Sequence, residues 1–233
     1  MKQRLVIAAA LVGAAVLVAV AVIVFRFGRI DPSPPLLRDT PNANIPGEIL
    51  YMSDQTCLTR AAASGEAREE ICHASFLYIG PFAWIDSNTI RTWSQGVIAD
   101  IDLESGVRTP ISSSSTGFEK YPPRPPVSPS GETVITDRGD IYVVGSGGNT
   151  KIASFDIGDT WMEPILWSPD GEWIVIRWQP PRDADSELWI ISRDGTVKGT
   201  LAKDFQGNWA AWRIEGVGTT PAPDEMFTTA AAR

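Results

Sequence analysis

Cys57, Cys72 and His73 are the residues of this sequence whose types and spacing could do chemistry together. Two cysteines can form a disulfide, and thiolates with an imidazole can hold a zinc ion. A two-residue hairpin turn at Ser64 and Gly65 would place the cysteines directly opposite each other, at a hydrogen-bonded site of the ladder and within disulfide range. We predict a disulfide, with free buried thiols as the alternative. A metal site would lack a fourth ligand at a recognisable spacing, so none is predicted.

Few residues are suited to catalysis. His73 is the single histidine, so any Ser-His-Asp arrangement must use it, and no Gly-x-Ser-x-Gly nucleophile elbow is present. The acidic loop at 182–187 lacks the glycine and the terminal glutamate of an EF-hand, and we interpret it as a solvated rim loop. The formal net charge of −8 argues against a nucleic-acid partner. We therefore expect no enzyme activity, no cofactor and no metal.

The amino-terminal region has the pattern of a membrane anchor. Residues 5–25 carry no charged side chain, and as a helix they would span about 31 Å, the thickness of a bilayer core. Residues 25–29, Phe-Arg-Phe-Gly-Arg, make a poor signal-peptide cleavage site. We predict a short cytoplasmic end at 1–4 and an uncleaved transmembrane helix at 5–25. The prolines of residues 26–46 predict an extended linker without a packed core.

Turn and strand signals repeat from residue 47 onward. Glycines of predicted hairpin turns, at 65, 106, 148 and 195, recur at intervals of about 40 to 47 residues. The clearest unit, residues 167–201, begins with the turn Trp-Ser-Pro-Asp-Gly. Two apolar strands and an Asp-Gly turn follow, and Asp and Gly tolerate the positive φ of hairpin turns. Each unit is therefore predicted to be a small antiparallel sheet.

This unit resembles the β-propeller repeat of TolB-type proteins, whose signature is a Ser-Pro-Asp-Gly turn, an apolar strand, a Leu-Trp-type strand and an Asp-Gly turn. The resemblance covers residues 47–214, although the first two units lack the Ser-Pro-Asp-Gly turn. It implies an all-β fold, a small WD-like β-propeller of four blades. Flanking positive charges do not decide the orientation of the anchor. TolB-type propellers usually lie outside the cytoplasmic membrane, which together with the predicted disulfide implies an extracytoplasmic domain, periplasmic or at the cell surface.

The two ends of the repeat array are complementary. Three units have an innermost strand before their first turn, whereas the first unit has none. Residues 205–212 resemble the innermost strand at 162–167, and no further strand follows them. We predict that residues 207–214 complete the first blade and close the ring, because closure removes open sheet edges. The alternative is a half-ring completed by another copy or another protein.

The residues after 214 are small and polar. They predict a disordered tail at 215–233, and deletion of residues 219–233 is expected to cost little stability.

Nine tryptophans are many for 233 residues. Large aromatic side chains fill the space between sheets, and we predict four of them in the inter-blade core: Trp84, Trp167, Trp189 and Trp212. The alternative is an exposed aromatic platform for sugar or peptide, which burial of Trp93, Trp161 and Trp178 together would exclude.

These features predict a single-pass membrane protein with an extracytoplasmic propeller. Its predicted function is non-enzymatic: binding of a protein partner, or service as an accessory subunit of a membrane or envelope assembly. Homo-oligomerisation stays open. The alternative function is a ligand sensor or a carbohydrate-binding module that uses the central channel or an exposed tryptophan.

Overall fold

The computed structural model describes residues 32–40, 44–77, 79–94, 96–112, 126–158, 160–181 and 185–226. The residues described from Ser33 onward belong to one compact unit. The predicted cytoplasmic end and transmembrane helix lie outside the described residues. In the part of the chain that is described, no helix is both long and apolar enough to cross a bilayer.

The described strands form four antiparallel sheets, numbered here as blades 1 to 4. Blade 1 contains β1 (Glu48–Asp54), β2 (Cys57–Ala62), β3 (Arg68–Cys72), β15 (Ala210–Ile214) and β16 (Gly218–Thr220). Blade 2 contains β4 (Ile79–Trp84), β5 (Thr89–Ser94), β6 (Val97–Asp102) and β7 (Arg108–Ser112). Blade 3 contains β8 (Thr133–Asp137), β9 (Asp140–Gly145) and β10 (Gly148–Ser154). Blade 4 contains β11 (Trp161–Trp167), β12 (Trp173–Gln179), β13 (Ser186–Ser192) and β14 (Lys198–Phe205).

Helical structure is scarce in the described residues. It consists of the 3₁₀ turns Leu37–Asp39 and Ala74–Phe76 and one short helix, α1 (Pro223–Met226). The predicted all-β class is confirmed, as four antiparallel sheets arranged as propeller-like blades.

The carboxy-terminal strand completes the first blade, as predicted. β15 pairs antiparallel with β1, with Trp212 opposite Ile49 and Ala211 opposite Leu50. The sheet order is β16-β15-β1-β2-β3, so β1 has neighbours on both sides. The last strand of the repeat array therefore occupies the inner position that the amino-terminal segment leaves open.

Hydrophobic clusters join three pairs of blades. One cluster spans blades 1 and 4, a second spans blades 3 and 4, and a third spans blades 1 and 2. None of the clusters formed by described residues joins blade 2 to blade 3. The carboxy-terminal closing strand of the predicted ring is therefore present. The clusters of the described residues connect the blades in the order 2-1-4-3, without a cluster between blades 2 and 3.

The structure contradicts the predicted disordered tail between Gly218 and Met226. β16 pairs with β15, with Thr220 opposite Trp212, and α1 follows it. Met226 is only 5% exposed and packs with Ala83 and Ile98 of blade 2. The physical reason is that Ala83, Trp93 and Ile98 form an apolar patch on the sheet face of blade 2 turned away from blade 1, and Met226 covers this patch.

The second half of the predicted linker also differs from the expectation of a segment without a packed core. Leu37 and Ile45 are 1% and 4% exposed and belong to the cluster between blades 1 and 4. The backbone N–H of Thr200 donates to the Pro35 carbonyl at 2.8 Å, and its hydroxyl donates to the Pro34 carbonyl at 2.7 Å. Extended proline-rich backbone has carbonyls without internal partners, which makes them acceptors for the edge strand β14.

Gly195 provides a test of how closely blades 3 and 4 pack. Its φ is +74°, and a methyl group there would lie 1.9 Å from the Ile152 carbonyl oxygen of β10. Gly131 has a φ of +85° with nothing within 4 Å of that methyl position. Both Gly→Ala changes cost about 1–2 kcal/mol for the left-handed backbone. Gly195→Ala is expected to cost about 1–3 kcal/mol more, because the two blades must separate.

Urea unfolding of the Gly195→Ala and Gly131→Ala proteins measures this difference. Equal midpoints for the two variants would contradict the close approach of the Asp194-Gly195 turn to blade 3.

Candidate functional site

Three of the predicted inter-blade tryptophans lie at equivalent positions of their blades. Trp84, Trp167 and Trp212 are all fully buried. Each indole N–H donates to a backbone carbonyl of a different segment: Trp84 to Ala211 at 3.3 Å, Trp167 to Pro126 at 3.3 Å and Trp212 to Pro46 at 3.0 Å. These side chains satisfy their polar atom while filling the space at the inner strands.

Trp189, the fourth predicted core tryptophan, lies within β13 and faces blade 3. It is fully buried, and its ring centroid lies 5.2 Å from that of Trp178 and 4.8 Å from that of Phe155. Its indole N–H donates to a carboxylate oxygen of Glu187 at 2.8 Å. Lys203 lies 3.4 Å from the other oxygen of the same carboxylate. The nearly buried carboxylate of Glu187 is thus both hydrogen-bonded and charge-paired.

Blade 3 departs from the pattern of the other blades. Val127 precedes Ser128-Pro129 as Trp167 precedes Ser168-Pro169, and it forms a bridge to Thr133. It is 46% exposed, and Ile135, on the same face of the sheet, is 39% exposed. Tyr142 and Val144 lie opposite Ile135 and Thr133 on β9. We call Val127, Ile135, Tyr142 and Val144 the blade 3 face.

The tryptophans chosen to test an aromatic platform have different environments. Trp178 is 5% exposed and belongs to the core between blades 3 and 4, and Trp93 is half-buried against Ala83 and Ile98. Trp161 is 46% exposed. An aromatic platform at Trp161 therefore remains compatible with the structure, whereas Trp178 cannot contribute to one.

Trp161 is the first residue of β11 and lies opposite Gln179, the last residue of β12. The guanidinium of Arg177 lies 5.0 Å from the Trp161 ring centroid. Arg177 donates to Ser186 Oγ at 3.0 Å, to Gln179 Oε1 at 3.2 Å and to Asn208 Oδ1. We call Trp161, Arg177, Gln179, Ser186 and Asn208 the Trp161 site. Sequence reasoning named Trp161, but no local signal identified the four polar residues around it.

The predicted Cys57–Cys72 disulfide is confirmed. The two cysteines lie directly opposite each other on β2 and β3, with Cα atoms 4.2 Å apart. The predicted hydrogen-bonded site is wrong, because His73 N–H donates to the Thr56 carbonyl at 3.1 Å and makes the cysteines a non-hydrogen-bonded pair. The turn causes this difference. Ala62 N–H donates to Ala67, so four residues rather than two form the loop.

The disulfide is expected to contribute about 3 kcal/mol to the free energy of unfolding, because it closes a loop of 15 residues in the unfolded chain. The double change Cys57→Ser and Cys72→Ser should remove this contribution, as measured by urea unfolding. Wild-type protein in a thiol reductant should show the same loss, whereas the double variant should not respond to the reductant. A wild-type protein insensitive to reductant would contradict the prediction.

The possible metal ligands around this disulfide are engaged in other bonds. Cys57 and Cys72 have a Glu70 carboxylate oxygen within 4.8 Å, but both sulfurs are consumed by the disulfide. His73 is not part of that group. Its Nε2 lies 3.0 Å from the Leu103 carbonyl, and its ring packs edge-on against Phe76 at 5.3 Å. His73 thus helps to join blade 1 to blade 2.

Two turn carboxylates have strongly lowered pKa values. Lys151, Ser154 and Tyr142 hydrogen-bond to Asp140 and lower its pKa to about 2, with Lys151 the largest cause. Ser192, followed by the backbone and hydroxyl of Thr196, lowers the pKa of Asp194 to about 2. Both carboxylates are therefore ionised at neutral pH. General acid–base groups work best with pKa values near the operating pH. These two carboxylates are therefore better suited to stabilising their turns through hydrogen bonds than to proton transfer.

The acidic loop is described in part. Residues 182–184 lie outside the described residues, so their predicted place on the rim is not tested. Asp185 accepts a hydrogen bond from Gln206 at 3.4 Å. This contact links the loop between β12 and β13 to the connection that leads into β15.

Comparison with known proteins gives matches among solved structures only. No protein-family model matches the chain, and no curated protein matches it. A structure described as TolB from Agrobacterium tumefaciens is 18% identical over 79% of this chain and 70% of that chain, with a TM-score of 0.29. A structure of the nidogen/laminin complex is 18% identical over 73% and 71%, with a TM-score of 0.26.

A prolyl endopeptidase is also similar, at 13% identity over 68% of this chain but only 27% of that chain, with a TM-score of 0.26. TM-scores this low do not define the fold, which is assigned here from the chain's own strand pairing. That pairing defines an all-β protein of four antiparallel, propeller-like blades, whose first blade is completed by a carboxy-terminal strand.

Proposed function

We propose that this chain is a membrane-anchored, extracytoplasmic β-propeller protein that acts without catalysis. It binds a protein partner or serves as an accessory subunit of a membrane or envelope assembly. The uncharged run at 5–25 supports the anchor, and the Cys57–Cys72 disulfide supports an oxidising compartment. Stacked blades present rigid loops and faces to a partner.

The observation that supports protein binding is the exposed apolar surface of the blade 3 face. Val134, on the opposite side of β8, is fully buried against blade 4, whereas Val127 and Ile135 are 46% and 39% exposed. The Asp140–Lys151 ion pair, with Nζ and Oδ1 2.7 Å apart, lies at the border of these apolar residues. An apolar patch with a charged rim is typical of a protein interaction surface.

Site-specific photo-cross-linking in native membranes tests this function. A photoreactive amino acid at position 127 or 135 of the full-length chain should give an adduct of one and the same mass. The change Ile135→Asp should abolish the adduct formed from position 127. Val107, which is 60% exposed on blade 2, provides the control position. The proposal fails if positions 127 and 135 give no adduct or if position 107 gives the same one.

Alkaline extraction of membranes tests the anchor separately. The protein should stay in the membrane pellet at a mass that includes residues 1–25, because a helix of about 20 apolar residues does not leave the bilayer on alkali or salt treatment. A mature soluble form that begins near residue 28 would instead indicate a cleaved signal peptide.

A further inference from the structure

Trp161 is exceptional among the aromatic side chains of the described residues. The other described tryptophans, tyrosines and phenylalanines are buried or half-buried, and Trp161 alone is in the exposed class, at 46%. An indole ring of this kind leaves a large apolar surface in contact with water. The position is therefore suited to a ligand that covers a single aromatic ring.

The positively charged guanidinium of Arg177 lies against the indole of Trp161. The Arg177 guanidinium lies 5.0 Å from its ring centroid and 5.8 Å from that of Phe205. Ser186, Gln179 and Asn208 accept hydrogen bonds from that guanidinium. Ser186 also donates to Gln179 Oε1 at 2.7 Å. This arrangement covers one side of the ring and holds the Trp161 site in a single geometry before any ligand binds.

We propose that the Trp161 site binds carbohydrate, with the indole as the stacking platform for an uncharged pyranose ring. The C–H groups on one face of a pyranose carry partial positive charge and are attracted to the negative face of an aromatic ring. Amide and hydroxyl groups, which both donate and accept hydrogen bonds, match sugar hydroxyls. Gln179 and Asn208 place amide groups beside the indole, and the buried Ser186 positions Gln179 through its hydrogen bond. A site of this composition orients a ligand through a few polar groups next to an apolar surface.

Two other ligand classes fit less well. A proline-rich peptide in the polyproline conformation docks into a groove lined by several aromatic rings, whereas Trp161 is the single exposed aromatic of the described residues. An organic cation prefers a cage of several rings, and the positive charge of Arg177 beside the indole would repel it.

The test is a titration of the full-length chain in a detergent without a sugar headgroup. The probes are two β-1,4-linked oligosaccharides, cellotetraose and chitotetraose, whose equatorial substituents leave flat apolar faces. Binding is followed by the indole N–H signal of Trp161 in a ¹⁵N–¹H spectrum. We expect at least one probe to shift this signal with a Kd at or below about 10 mM, the weak end of specific binding.

Three substitutions separate stacking from a general apolar contact. Trp161→Phe keeps an aromatic face and should weaken binding only a few-fold. Trp161→Leu and Trp161→Ala remove it, and both should weaken binding at least about tenfold, as expected when base or sugar stacking on one ring is lost. For the variants, binding is followed by calorimetry. Trp93→Phe, in the half-buried contact of blade 2, is the matched control and should bind as the wild type does.

The proposal is overturned if neither oligosaccharide binds by about 10 mM, or if Trp161→Leu binds as well as Trp161→Phe. It is also overturned if Trp93→Phe weakens binding as much as Trp161→Ala. Trp161→Leu should leave the cross-linked adduct of the blade 3 face unchanged, so failure here and failure of the proposed function are distinguishable.

Discussion

Replacing Trp212 with alanine is expected to lower the free energy of unfolding by about 3–5 kcal/mol. The side chain is fully buried in the cluster between blades 1 and 4. Its indole N–H donates to the Pro46 carbonyl at 3.0 Å, where the chain enters the first blade. The substitution therefore leaves a cavity and a half-buried carbonyl without its donor. Because whole domains are stable by about 5–15 kcal/mol, thermal and urea unfolding should both show a large shift.

The exposed Trp161 supplies the matched control for this prediction. Trp161→Ala removes a side chain of the same type from a position that is 46% exposed, and it should cost less than about 1 kcal/mol, because exposed residues contribute little packing. Equal losses for the two alanine variants would contradict the burial of Trp212 between the blades.

Removal of the whole closing strand β15 tests the same packing between the blades. A chain that ends at Asp204 lacks β15 and leaves the inner edge of β1 unpaired, together with the apolar surfaces that Ala211 and Trp212 cover. We expect this chain to lose cooperative unfolding or to aggregate, since exposed sheet edges pair with other chains. A truncated chain that unfolds cooperatively would indicate that blade 1 is stable without its closing strand.

Local turn chemistry accounts for the parts of the fold that the sequence predicts. The Ser-Pro-Asp-Gly turn at 168–171 and the Asp-Gly turn at 194–195 mark strand ends, because these residues favour tight turns. The Cys57–Cys72 register follows from the position of the hairpin turn alone. The turn position does not predict whether the cysteines form a hydrogen-bonded or a non-hydrogen-bonded pair. That depends on whether the loop has two or four residues, and the loop sequence Ala-Ser-Gly-Glu does not favour either length.

The segments that differ from expectation share one property: their partners are distant in sequence. The residues at 34–36 contact Thr200, and Met226 contacts Ala83 and Ile98. A proline-rich segment and a small polar tail both have the composition of unpacked chain. A single apolar residue can still order such a segment when a free sheet face lies within its reach, and composition contains no information about that face.

Likewise, tryptophan content predicts the candidate site only in part. Trp161 and Trp167 begin and end the same strand, yet one is 46% exposed and the other fully buried. Simple alternation would put both on one face, since both have odd numbers, but the register shift between Pro164 and Leu166 puts them on opposite faces. Trp167 therefore lies opposite Ile174 in the core between blades 3 and 4, whereas Trp161 lies opposite Gln179 at the strand end, on the other face.

Truncation of the carboxy-terminal segment tests the cover of blade 2, with an expected effect opposite to that predicted from composition. A chain that ends at Glu215 lacks β16 and α1, which exposes Ala83, Ile98 and the half-buried Trp93. The loss of stability is expected to be about 2–3 kcal/mol, the contribution of burying a methionine side chain and the surface that it covers.

A chain that ends at Met226 is the matched control for this truncation, since it keeps both elements and removes only residues 227–233. Its urea midpoint should equal that of the full-length chain, whereas Met226→Ala should reproduce most of the loss seen on truncation at Glu215. If the chain that ends at Glu215 is as stable as the full-length chain, α1 contributes nothing to blade 2. The apolar residues Ala83 and Ile98 would then be available to blade 3, and direct packing of blade 2 against blade 3, in a ring closed on all four sides, becomes the better description.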